Sequence, residues 1–141
     1  MTEETTPPLA PGSIAPHFAL DDTRGRFVCI DDFWAAAALV VAFPGAAGEA
    51  EGARARLAEL AREFGGRLAV VEIGAGGEAR GDEPGAPFPR LLDETGQVAR
   101  TYGATAGPRL FLFDAERKLV REGAPDEAGW AAVRDALARL L

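Results

Sequence analysis

Few side chains in this 141-residue chain can do chemistry. It has one cysteine, Cys29, one histidine, His17, one serine, Ser13, one lysine and one tyrosine. Cys29 is the sole thiol that could act as a nucleophile or redox centre. It sits mid-segment in an apolar stretch, alternating with Phe27, where a cysteine packs as a small hydrophobe and stays inert. Ser13 and His17 are close in sequence, but on a proline-flanked arm with no rigid base or oxyanion hole beside them, so a hydrolytic site is not expected. One histidine and one cysteine cannot build a zinc site without several carboxylates, and no metal or cofactor is expected. The acidic pairs Asp21-Asp22, Asp31-Asp32, Asp82-Glu83 and Asp93-Glu94 lack the spacing of a calcium loop and read as solvated turn or cap residues. Gly74-Ala75-Gly76-Gly77 follows a strand, but no Gly-Lys-Ser/Thr comes after it, which argues against a phosphate loop.

Charge narrows the partners further. Fifteen basic residues against 22 acidic ones leave a net charge of −7 and a pI near 4.7. Such a surface repels phosphate backbones and anionic lipid, so neither nucleic acid nor membrane is an expected partner. The first residues have no basic n-region or apolar h-region, the apolar run 33–44 is too short to span a bilayer, and a single cysteine excludes an intrachain disulfide. The expectation is a cytoplasmic protein.

The elements that must position these groups follow from pattern. Residues 1–12 read as a flexible arm, and 13–141 as one domain. Segments 17–20 and 26–30 form a hairpin around Asp21 to Gly25, with Gly25 at a positive-φ position, and Asp31 to Trp34 make a turn leading inward. The continuous apolar run 39–43 predicts a strand buried on both faces, ended by Pro44-Gly45. From Glu49 to Phe64, apolar residues at Ala53, Leu57, Leu60, Ala61 and Phe64 mark an amphipathic helix stopped by Gly65-Gly66. Leu68 to Ile73 is a second buried strand, and strand, helix and strand together make a βαβ unit. Residues 74–89 read as a surface excursion. A short helix follows over 93–102, with Thr95 as N-cap and Gly103 as stop. A second hairpin spans 109–114 and 118–122, and a last helix over 126–141 buries Trp130, Val133, Leu137 and Leu140 or Leu141.

The sequence also resembles a known family. Residues 11–20, Pro-Gly-Ser-Ile-Ala-Pro-His-Phe-Ala-Leu, are similar to the opening G-x-x-A-P-D-F-x-L of the redoxin branch of the thioredoxin-like superfamily, meaning the peroxiredoxin-like alkyl hydroperoxide reductase and thiol-specific antioxidant proteins. Phe88 to Asp93 is similar to F-P-x-L-x-D, Tyr102-Gly103-Ala104 to Y-G-V, and Pro108 to Asp114 to P-x-x-F-L-I-D. The resemblance implies an α/β thioredoxin fold, a central mixed sheet flanked by helices, with an added N-terminal β-hairpin.

It also implies where chemistry would sit. In that family a C-x-x-C or peroxidatic cysteine opens the helix after the first core strand, where free N–H groups and the helix dipole stabilise a thiolate. Here that stretch reads Pro44-Gly45-Ala46-Ala47-Gly48-Glu49-Ala50-Glu51-Gly52. The cysteine positions fall near Pro44 and Ala47, or near Glu51, and none is a cysteine. Glu49 and Glu51 in the first turn would oppose a thiolate. The residue before the proline that faces this loop in the resembled fold is Gly107. These residues define a cleft of Pro44, Gly45, Ala46, Ala47, Gly48, Gly107 and Pro108, in which backbone beside the proline can pair with an extended peptide. The expected function is that of a non-catalytic binding or regulatory relative with a protein or peptide partner, a homodimer remaining open. The alternative is a thiol-dependent antioxidant oxidoreductase working through Cys29.

Overall fold

The computed structural model describes residues 9–43, 47–74, 88–104 and 108–141, with side chains of 47–51 excepted. A hairpin comes first, β1 (Ala19–Asp21) antiparallel to β2 (Phe27–Cys29), with Gly25 at φ +87° in its turn. A 3-10 turn, Ile30–Phe33, leads to β3 (Ala38–Phe43), then α1 (Ala47–Phe64) and β4 (Leu68–Gly74). Next are β5 (Arg90–Leu92), α2 (Gln97–Tyr102), β6 (Arg109–Phe113), β7 (Leu119–Gly123) and α3 (Glu127–Leu140).

The five-stranded sheet has the order β5-β4-β3-β6-β7. β3 runs parallel to β4 and antiparallel to β6, and β4 is parallel to β5, so the sheet is mixed as expected. Period-two alternation sends the strands' side chains to two cores. Ala38, Val40, Ala42, Val70, Leu110 and Leu112 face α1 and α3, meeting Ala53, Leu57 and Leu60 of one helix and Trp130, Val133 and Leu137 of the other. Leu39, Val41, Phe43, Ile73, Phe111 and Phe113 face the opposite way, onto Tyr102 of α2 and onto Phe18 and Ile30 of the N-terminal segment. Every residue of β3 is buried, which explains its uninterrupted apolar run.

Four local readings need correction. Arg90–Leu92, assigned no element from the sequence, is β5. Its three residues form a strand because Glu72, Ile73 and Gly74 of β4 offer parallel partners, which no local pattern announces. Trp34 does not lead inward but is 80 % exposed. α2 starts at Gln97, behind Gly96 in the left-handed region at φ +76°, and Thr95 Oγ1 accepts from the Gln97 N–H (3.3 Å) while the Asp93 carboxylate oxygens accept from those of Val98 (3.2 Å) and Ala99 (2.9 Å). Asp22 and Asp93 are buried rather than solvated, since their acceptors are used up by backbone donors.

Candidate functional site

The strand register fixes one end of the sheet. Phe43, the last residue of β3, stands opposite Arg109, so Pro108 arrives beside the point where the chain leaves β3. Phe43 packs on Tyr102 at 5.4 Å and on Phe111 at 5.8 Å between ring centroids, and Tyr102 lies 5.4 Å from Phe111. These tilted and edge-on contacts anchor the strand end by aromatic packing. The Tyr102 hydroxyl donates to the Pro16 carbonyl at 2.7 Å, tying α2 to the N-terminal segment, and burial pushes its phenol well above the ordinary range.

Of the expected cleft, Ala47 and Gly48 form the first turn of α1, and Pro108 is half-buried just ahead of β6. Pro44, Gly45, Ala46 and Gly107 lie outside the described residues, as does the side chain of Glu51. Of the expected cleft the described residues thus fix one point, Pro108 beside the end of β3, through the pairing of β3 with β6.

A cluster of charges at the same level of the sheet was not foreseen. Glu72 of β4, opposite Ala42 and 3 % exposed, accepts from Arg54 Nε of α1 at 3.1 and 3.3 Å, and Arg90 Nε of β5 lies 3.7 Å away. Two guanidinium groups thus meet one buried carboxylate and lock α1, β4 and β5 together, a geometry costly to break by removing one partner. The signal available in the sequence was the single acid inside the apolar run 68–73, which only a buried partner can satisfy.

Cys29 lies elsewhere. It ends β2, where it is half-buried, and its N–H donates to Asp32 Oδ2 at 2.9 Å. Ile30 and Asp31, the next residues, share a cavity with Ala115, Glu116 and Arg117 of the β6–β7 turn. That turn follows Phe113, which stands opposite Leu39 near the start of β3. The one thiol thus belongs to the N-terminal hairpin, outside both the five-stranded sheet and the stretch 44–52.

The remaining candidates form no catalytic group. His17 is exposed and lines the same cavity as Trp34, Ile14 and Arg117, and Ser13 is engaged through its backbone with Leu119. Arg117, at φ 62°, gives its guanidinium to the carbonyls of Phe33 (2.6 Å), Ala36 (3.2 Å) and Asp114 (2.9 Å). Desolvation lowers its pKa, with Asp114 opposing. Asp82 and Glu83, and Ala75 to Gly77 of the glycine stretch, lie outside the described residues. Among the described residues no three His, Cys, Asp or Glu side chains gather as metal ligands, and no helix is long and apolar enough to cross a membrane.

Comparison with known proteins gives these features a setting. The family model described as "AhpC/TSA family" matches residues 11–122. No sequence match was found among curated proteins. Among solved structures, a hypothetical protein of Sinorhizobium meliloti is 29 % identical, aligned over 94 % of this chain and 84 % of its own, with a TM-score of 0.75. The Chlorobium tepidum protein named for thiol:disulfide interchange (DsbE) is 23 % identical over 94 % of this chain and 99 % of its own, TM-score 0.79. Peroxidoxin BcpB from Mycobacterium tuberculosis is 23 % identical over 92 % and 95 %, TM-score 0.67. The last two likenesses establish the thioredoxin fold alone.

Proposed function

The chain belongs to the AhpC/TSA family, and from that premise we propose that it is a redoxin without thiol chemistry, a binding or regulatory relative of the enzymes it resembles. The observation that carries this reading is the stretch 44–52 between β3 and the first turns of α1, where the sequence has Pro, Gly, Ala and Glu and no cysteine. A helix N-terminus can lower the pKa of a thiol only where a thiol is present. Cys29 does not substitute, since it belongs to β2 of the N-terminal hairpin, outside the five-stranded sheet and the stretch 44–52.

What remains at the family's site is backbone. Pro108 beside the end of β3 leaves main-chain groups that suit an extended segment of a protein or peptide partner, held by strand-like pairing. With a net charge of −7, this supports a protein partner over nucleic acid or lipid.

Peroxide consumption and insulin disulfide reduction, each run with a thioredoxin or glutathione reducing system, test the proposal. Wild type and Cys29→Ala are expected to match the protein-free blank in both assays. Turnover by the wild type that disappears in Cys29→Ala would overturn it in favour of a Cys29-dependent oxidoreductase.

A further inference from the structure

Away from the cleft, a cavity of about 440 Å³ opens between the tip of the β1–β2 hairpin and the start of β5. Its size falls within the range of small-molecule sites, roughly 300–1,000 Å³. The walls are joined along one seam, where Thr23 N–H donates to the Arg90 carbonyl at 3.0 Å and Asp22 bridges to Leu91. The cavity is therefore formed before any ligand arrives, which lowers the ordering cost of binding.

Its chemistry is of two kinds. Phe27, Phe33 and Phe88 give it aromatic surface, and Phe27 is left 66 % exposed, a large ring with no protein cover. Arginines supply the polar part. Arg90 already faces Glu72, but Arg24 has no side-chain partner among the described residues, and Arg26 reaches Asp22 only at 3.8 Å while 70 % exposed. Two acids, Asp22 and Asp32, also line it, and each is held by backbone donors of its own turn. Asp22 Oδ1 is taken by the N–H groups of Arg24 (2.9 Å) and Arg26 (2.8 Å), and Asp32 Oδ2 by that of Cys29. The lining thus holds one guanidinium without a side-chain partner among the described residues, that of Arg24, together with the exposed ring of Phe27 and the half-buried ring of Phe33.

We propose that this cavity binds a small organic anion with a flat apolar body, an aryl carboxylate in chemical class. The carboxylate meets the Arg24 guanidinium, which can engage both its oxygens, and the ring lies against Phe27 and Phe33. An apolar ligand without charge would leave Arg24 unused, and a compact anion without a ring would leave Phe27 uncovered.

Titration of the full chain with 2-naphthoate, followed by amide chemical shifts, tests the assignment. Saturable shifts are expected at residues 22–33 and 88–90. The uncharged 2-naphthalenemethanol should bind about tenfold more weakly, the loss expected for one charge-assisted contact. Arg24→Glu should weaken naphthoate by about tenfold and leave the alcohol unchanged, while Phe27→Ala should weaken both. Both residues are exposed, so an unchanged melting temperature will confirm that these variants fold. Trp34→Ala, in the separate cavity near His17, should bind naphthoate as wild type does. Equal affinity for acid and alcohol, indifference to Arg24→Glu, shifts centred on Trp34, or no saturation by about 5 mM, too weak for a built site, would each overturn the proposal.

Discussion

Replacing Tyr102 by Phe removes one oxygen from the aromatic cluster and nothing else. The ring contacts with Phe43, Phe111 and Phe113 persist, whereas the hydrogen bond to the Pro16 carbonyl is lost. A lost hydrogen bond that leaves its acceptor without a donor costs about 1–2 kcal/mol, the loss expected in urea unfolding at pH 7. The pH dependence is the sharper test. Tyr102 is the only tyrosine in the chain, and its folded pKa is raised above the unfolded value near 10. Below pH 10 the phenol is neutral in both states and the contribution is whole. Above pH 10 the unfolded chain loses its proton while the folded one keeps it, so wild-type stability falls by about 1.4 kcal/mol per pH unit until the folded phenol titrates. The Phe variant has no such term. By about pH 11 the gap between the two proteins should shrink by about 1.4 kcal/mol, erasing most of the difference seen at neutral pH. Spectrophotometric titration gives a second reading, since tyrosinate absorbance should stay absent from the folded protein at pH 10. Tyrosinate appearing near pH 10 in folded protein, or a gap that stays constant from pH 7 to 11, would refute the account of a buried, bonded phenol.

Two further substitutions test the helices. In Gly129→Ala, helix propensity favours the variant by about 1 kcal/mol, but an alanine Cβ would stand 1.8 Å from the Ala124 carbonyl oxygen. The steric cost wins, and thermal unfolding should show a loss of about 1–3 kcal/mol instead of a gain. Asp93→Ala removes both its hydrogen bonds to α2, and a loss of about 1–2 kcal/mol is expected, with faster amide exchange at Val98 and Ala99.

Sequence carried most of the frame, for reasons that differ by element. β3 and β4 are legible because burial on both faces demands unbroken apolar runs, and α1 and α3 because one-sided burial leaves a helical period. The lack of a thiol at the family's site needs only the residue order in 44–52. β5 stayed hidden because its cause lies in β4, some distance back along the chain. The Arg54–Glu72–Arg90 cluster joins three elements and has no local spacing to betray it, though Glu72 in an apolar strand hinted at it. Asp22 and Asp93 were misjudged as solvated because a carboxylate's burial depends on backbone donors that only the folded turn supplies. Trp34 shows the reverse error, a large apolar side chain that the 3-10 turn points into solvent.

The N-terminal segment touches both flanks of the five-stranded sheet. On one side Gly12 N–H donates to the Leu119 carbonyl, Leu119 N–H to that of Ser13 and Ala15 N–H to that of Arg117, each at 2.8 Å, along the start of β7. On the other, the hairpin pairs with β5 through Asp22 and Leu91. An open flank is a template on which another chain can add a strand, the first step toward aggregation. The N-terminal segment, from Gly12 through the hairpin, thus serves as a seal on both margins of the sheet. Its loss would leave the core under α1 and α3 in place, strip Phe18 from the core on the other face, and open the sheet to side-to-side addition of strands.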